Sequence, residues 1–187
     1  MVQETPGPIL RERVAAGKVW AHGKDGADYL IRPIRPDDAA ATTRAYDSLP
    51  DRSKWFRLLH SVLHLSDEMA ARLCAPDPKT EFAVVIEGNG PLAGELIGGA
   101  RVGDMGPGKA AEFAVTLRDE VRGHGLARQA LETVVEVARE AGCASVWGTI
   151  SAQNTAMLGL ARRAGFTIRR ASDDSSVMLA EKLFEPD

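Results

Sequence analysis

"AEFAVTLRDEVRGHGLARQALETVVEVAREAG" runs from residue 111 to residue 142, and its reading decides the fold. It opens as a strand (111–117), passes an arginine and two closely set glycines, and enters an apolar pattern at helical spacing. Leu126, Ala130, Val134 and Val137 recur every three to four residues, with Ala127, Leu131 and Val135 beside them, which predicts a long amphipathic helix. Gly142 stands where a helix-ending glycine belongs. A strand that feeds a helix through a glycine loop makes a cradle for an anion, because the backbone can be approached closely and the first N–H groups of the helix have no internal acceptor. Four readings of the loop compete. A P-loop needs GxxxxGK[ST], which the chain lacks. The dinucleotide fingerprint GxGxxG is met at Gly123 and Gly125 but fails at Arg128, and the loop lies late in the chain. The pattern R-x-x-G-x-A is met by Arg122, Gly125 and Ala127. A plain strand–helix turn that happens to contain glycines is the fourth.

Working outward, "DYLIRPI" (28–34) reads as a strand, and "RPDDAAATTRAYDSL" as a helix with Pro36 and two acids in its first turn. "SDEMAARLCA" reads as a second helix capped by Ser66. "EFAVVIEG" (81–88) and "AGELIGGARVG" (93–103) read as strands, the latter forming a hairpin with 111–117 through the Gly/Pro turn "DMGPGKA". "ASVWGTI" (144–150) is a strand. "NTAMLGLARRA" (154–164) is a helix capped by Asn154 and stopped at Gly165, and "FTIRRAS" and "SVMLAEKL" close the chain as strands. The order β-α-α-β-β-β-α-β-α-β-β suits one mixed sheet with helices on its faces. Residues 1–25, rich in Gly, Pro and charge, read as an extension or linker with a short helix around "PILRERVAA", ahead of a domain spanning 26–187.

The 187 residues carry 44% apolar and 26% charged side chains and a formal charge of −3. That is the balance of one globular domain, and it speaks against a nucleic-acid binder, which would need a basic face. Cys74 and Cys143 stand alone in their segments, so no zinc-ligand spacing exists and both read as buried apolar residues in a reducing compartment. His60 and His64 are four apart with no carboxylate at metal-ligand spacing, and no metal site is expected. No apolar run reaches the ~18 residues of a membrane span, and the N-terminus lacks a basic-then-apolar leader, so a cytoplasmic protein without a membrane partner is expected.

With "YLIRPIRPDDAA", "LSDEMAARL", "AEFAV", "RGHGLA" and "NTAMLGLARRAGF" in that order, the chain resembles the GNAT family of N-acetyltransferases from about Tyr29 to Leu183. It looks closest to the bacterial protein lysine acetyltransferases that modify acyl-CoA synthetases. The resemblance implies the GNAT fold, an α/β (α+β) architecture with a central mixed, mostly antiparallel sheet of six to seven strands and helices on both faces. It implies acetyl-CoA as co-substrate and no metal. It places the coenzyme A pyrophosphate on the backbone of Arg122, Gly123, His124, Gly125, Leu126 and Ala127, and the pantetheine arm beside the strand through Val115, Thr116 and Leu117. Asn154 falls near the arm and thiol.

Transfer to an amine needs a neutral amine, and a lysine with pKa about 10.4 is less than roughly 1% neutral at pH 7. Glu112 is the candidate base. Strand alternation puts Glu112, Ala114 and Thr116 on one face and Phe113, Val115 and Leu117 on the other. Apolar neighbours would raise the carboxyl pKa; an edge position facing water, or a pair with Lys109 or Arg101, is the plain alternative. The resemblance also places the catalytic glutamate of protein acetyltransferases here. A backbone N–H near Val115 would serve the thioester oxygen. Many relatives carry a tyrosine acid where this chain has Ala161, so no general acid is assigned. Tyr29 and Tyr46 are far off in sequence, and Ser151 reads as a cap. "DRSKWFRLLH" (51–60) reads as an acceptor wall or as packing, and Trp147 as core. The expected acceptor is a protein lysine, in an acyl-CoA synthetase. A small-molecule amine or a protein N-terminus is the alternative acceptor, and a non-catalytic acyl-CoA sensor or adaptor the alternative of another class.

Overall fold

The structure, a computed structural model, describes residues 14, 19–49, 64–172 and 174–185. Its strands are β1 (Val19–His22), β2 (Asp28–Pro33), β3 (Phe82–Glu87), β4 (Leu96–Gly103), β5 (Ala110–Leu117), β6 (Ser145–Ser151), β7 (Thr167–Arg170) and β8 (Val177–Leu183). They form one sheet in the order β1-β2-β3-β4-β5-β6-β8-β7. Every neighbouring pair is antiparallel except β5 and β6. The described helices are α1 (Ala39–Asp47), α2 (Asp67–Leu73), α3 (Leu126–Glu140) and α4 (Thr155–Arg163).

Seven strands are those expected. The eighth, β1, corrects the strand count and brings residues 19–22 of the stretch read as a linker into the sheet. Val19–His22 pair residue for residue with Asp28–Ile31, and Ala21 and Val14 are fully buried, so the boundary at residue 26 falls inside the β1–β2 turn. Four residues at a sheet edge, of which one is buried, leave too little alternation to announce a strand. "PILRERVAA" lies outside the described residues apart from Val14.

Cross-strand register sorts the side chains onto two faces. Phe82, Val84, Ala100, Val102 and Phe113 lie on the face covered by α3; Ala83, Val85, Arg101, Ala114 and Thr116 lie on the face under α1 and α2. The stripe read from sequence makes α3 the main core helix: Leu126, Ala130, Leu131, Val134, Val137 and Ala138 are all buried. Each large one contributes about 1.5–3 kcal/mol relative to exposure. Its end is sealed as expected, with Gly142 N–H on the Arg139 carbonyl and Cys143 N–H on that of Ala138.

"IRPIRPDD" is held by a buried charge. The Arg32 guanidinium forks onto Asp38, each of two nitrogens 2.8 Å from a carboxylate oxygen, and its Nε donates to Glu87. This ties β2 to β3 and to the turn that opens α1. Burial pushes the Asp38 carboxyl up, but Arg32 and the Arg35 N–H outweigh it and hold the group below the usual carboxylate range.

Candidate active site

β5 runs beside β6 only at its start: the parallel pairing covers Ala110, Ala111 and Glu112 and then stops, although both strands continue. Phe113 stands at the parting. Its ring packs against Phe166, centroids 5.0 Å apart, and lies over Gly148 of β6, where an added Cβ would come within 2.8 Å of it. Beyond Glu112 one edge of β5 is therefore open. Arg118 N–H reaches back to the Ile97 carbonyl of β4 at 2.8 Å, so by alternation Val115 and Leu117 direct their backbone groups into the opening. An amide-bearing chain can pair there as a strand would.

The glycine loop lies at the end of this opening. Gly123 and Gly125 hold φ of 87° and 85°, a region side chains with a Cβ resist. Gln129 is the first α3 residue whose N–H reaches the loop, on the Gly125 carbonyl at 3.2 Å, so the N–H groups of residues 126–128 are the donors a helix start leaves unpaired. Loop, β5 edge and α4 enclose a groove of about 810 Å³. Among its described lining residues are four cations, Lys24, Arg122, Arg128 and Arg163, and no carboxylate.

Of the residues expected to bind, Val115, Thr116, Leu117, Arg122, Gly123, Gly125, Ala127 and Asn154 all line this groove. Asn154 caps α4 as expected, its side chain accepting from Met157 N–H at 3.1 Å. The other two, Leu126 and His124, are expected to act through their backbone, and their side chains lie off the groove. Leu126 is fully buried in the core, leaving only its backbone available. His124 turns away, with Nδ1 3.0 Å from Asp25 in the β1–β2 turn. Ser151 Oγ accepts from Gln153 N–H at 3.3 Å, the expected local cap.

Glu112 is exposed and forms no ion pair among the described residues, so the apolar surroundings expected for it are absent, as are the pairs with Lys109 and Arg101. Arg101 reaches Glu81 instead, at 3.5 Å. The face carrying Ala114 and Thr116 opens onto a second, smaller cleft of about 110 Å³ under α1 and α2. Tyr46 and Leu65 supply an apolar wall there, and Arg101 and Arg118 supply charge. Thr116 borders both groove and cleft, and its buried hydroxyl and the Arg118 Nε have no hydrogen-bond partner among the described residues.

Sequence reasoning missed Lys24, Arg163, Tyr46 and Arg118. Arg163, one helix turn from the "GF" pair, and Arg118, next after β5, carried a usable signal; Lys24 and Tyr46 arrive by chain crossings that no local pattern shows. The segment 51–60 and His60 lie outside the described residues. His64 is a surface residue bound to Asp47 at 3.0 Å, Trp147 is half-buried, and both cysteines are free and buried. Among the described residues no group of three or more His, Cys, Asp or Glu could hold a metal. No described helix is long and apolar enough to cross a membrane.

This geometry has counterparts. The chain is 29% identical over 166 residues to an acetyltransferase of Pseudomonas aeruginosa, covering 87% of this chain and 88% of that one. It is 40% identical over 80 residues to the L-methionine sulfoximine/L-methionine sulfone acetyltransferase of Pseudomonas paraeruginosa, 41% of this chain and 46% of that. Its structure is similar to the GNAT domain of S. lividans PAT, with a TM-score of 0.80 and 27% identity over 89% of this chain and 96% of that one. Residues 28–167 match the family described as acetyltransferase (GNAT) domain, and with that match the chain belongs to the GNAT family of acetyltransferases.

Proposed function

We propose that this acetyltransferase moves the acetyl group of acetyl-CoA directly onto the side-chain amine of a protein lysine, with an acyl-CoA synthetase as the acceptor. The observation that carries the reading is Glu112: a carboxylate without an ion pair among the described residues, exposed where β5 leaves β6, which an amine on a folded partner can approach from solvent. The groove fits coenzyme A by charge and shape, with free loop N–H groups, four cations and an open strand edge.

Bound acetyl-CoA supplies an activated thioester. The loop from Arg122 to Ala127 holds the pyrophosphate, and the β5 edge pairs with the amides of the pantetheine arm. The Val115 N–H donates to the thioester oxygen as it gains charge. Glu112 takes the amine proton, directly or through water, while the nitrogen–carbon bond forms and the carbon–sulfur bond breaks. Ala161, fully buried in α4, holds no acidic proton for the departing thiolate.

A second reading has its own observation. The small cleft, mostly apolar and carrying Arg101 beside Glu81 and Arg118 beside Glu120, the latter with a buried Nε that has no partner among the described residues, suits a small amine that also bears a carboxylate. The stretch shared with the methionine sulfone enzyme agrees with it. One experiment separates the readings: incubation with acetyl-CoA and an AMP-forming acetyl-CoA synthetase, mapping of acetyl-lysine by mass spectrometry, and thiol release with L-methionine sulfone in parallel, each also with Glu112→Gln. A modified lysine that vanishes in the variant supports the protein acceptor and the base. Thiol release with the sulfone alone replaces it with the small amine. Tight acetyl-CoA binding with no transfer to either leaves the chain as an acyl-CoA sensor.

A further inference from the structure

We propose that Lys24, in the β1–β2 turn, holds the 3′-phosphate of the coenzyme A ribose, so that the N-terminal hairpin forms part of the nucleotide site. The inference rests on the reading that the groove takes coenzyme A.

The turn is fastened to the glycine loop itself. Lys24 N–H donates to the His124 carbonyl at 3.1 Å, one peptide from each loop glycine. Asp25 meets the His124 ring at 3.0 Å and accepts from the Tyr29 hydroxyl at 2.6 Å and from Ala27 N–H at 3.1 Å. On the other side the Gln129 side chain, one turn into α3, clasps both backbone groups of His22 at 2.9 Å. A Cβ on Gly23 would fall 2.1 Å from an Asp25 oxygen and 2.8 Å from the Tyr29 ring, so this turn is built for a glycine there.

These contacts occupy Asp25, the nearest acid, and leave the Lys24 ammonium free. Lys24 lines the groove and forms no ion pair among the described residues. Arg122 and Arg128, by contrast, are matched by Asp119 at 2.6 Å and Glu132 at 2.7 Å. Position selects the phosphate. The open edge of β5 lies on the β6 side of the loop, whereas the β1–β2 turn comes from the opposite end of the sheet. A molecule with its arm along β5 and its pyrophosphate on the loop carries its remaining charge, the ribose 3′-phosphate, past the loop and toward Lys24. Arg163, on the α4 wall, is the competing cation.

Calorimetric titration with coenzyme A and with 3′-dephospho-coenzyme A, at physiological ionic strength, tests this without any acceptor. The wild-type chain should bind coenzyme A about fivefold more tightly, as expected of a solvent-facing charge pair. Lys24→Gln should remove that preference while binding of the dephospho form is unchanged. Arg128→Gln should keep the preference, since screening over about 8 Å suppresses a general charge effect. Equal wild-type affinities, equal weakening of both ligands by Lys24→Gln, or a preference that disappears instead in Arg163→Gln would each overturn the assignment while the groove keeps its ligand. Binding of neither ligand would overturn the coenzyme A reading as well.

Discussion

Glu112 and Asp38 are carboxylates with opposite circumstances. Glu112 is exposed and has no ion pair among the described residues, so replacing it should touch chemistry and little else. Glu112→Gln is expected to lower kcat about a hundredfold while thermal stability and acetyl-CoA affinity hold. Its residual rate should climb with pH as the acceptor amine loses its proton unaided. Steady-state kinetics from pH 6 to pH 10 with calorimetric binding beside them check this, and a kcat within threefold of wild type would remove Glu112 from the mechanism. Asp38 is locked in the Arg32 fork, and neutralising it leaves the buried guanidinium with Glu87 as its one carboxylate among the described residues. Asp38→Asn should cost about 3 kcal/mol in urea unfolding at pH 7. Because its carboxyl is held below the ordinary range in the folded chain, its contribution is present above the unfolded pKa and is lost as pH falls through the folded one. Wild type should therefore lose stability on acidification along a steeper course than Asp38→Asn, which has already lost that part.

Two elements make the site, a loop and a parted strand pair. Gly125 opens α3 at φ 85°, where a β-branched residue is strained by roughly 1–2 kcal/mol. Gly125→Val should turn the first N–H groups of α3 out of line and weaken acetyl-CoA binding about tenfold, while the buried stripe of α3 keeps the domain folded. Circular dichroism with calorimetry separates these effects. Where β5 and β6 part, the Phe113 ring lies against Gly148. Gly148→Ala should destabilise the domain by about 1–3 kcal/mol through overpacking. A smaller ring partner should relieve it, so Gly148→Ala with Phe113→Leu is expected to melt higher than Gly148→Ala alone. If the double variant melts lower, the ring is not what crowds the new methyl.

At the scale of the molecule, the sheet brings its middle and one of its ends to one loop. β5 delivers the open edge from the middle of the sheet, and β1 and β2, at its far end, deliver a turn that meets the same loop through Lys24 and Asp25, while Gln129 of α3 holds His22 of β1. Within the N-terminal stretch, Val19–His22 is thus part of the sheet. Deleting residues 1–23 removes β1 and the buried Val14 and Ala21. The melting temperature should fall by more than about 5 °C, with weaker acetyl-CoA binding, as read by differential scanning calorimetry. An unchanged melting point would return the stretch to the status of a linker.

Sequence alone determined what depends on local spacing. The 3.6-residue stripe fixed α3 because a helix repeats its face within one turn, the alternation of 111–117 fixed β5 because a strand repeats every second residue, and Gly123 and Gly125 fixed the loop because only a residue without a Cβ sits easily at positive φ. With the motifs and the element order on either side of them, those three signals were enough for the fold class and the family. Tertiary structure alone decided what depends on contacts distant along the chain. The surroundings of Glu112 are set by which helices reach its face, so an apolar-looking strand left its carboxylate in water. The ring of His124 was claimed by Asp25, 99 positions earlier in the chain. β1 became a strand because β2 offered it an edge, an energy that lies in the pairing and leaves no trace in the four residues themselves.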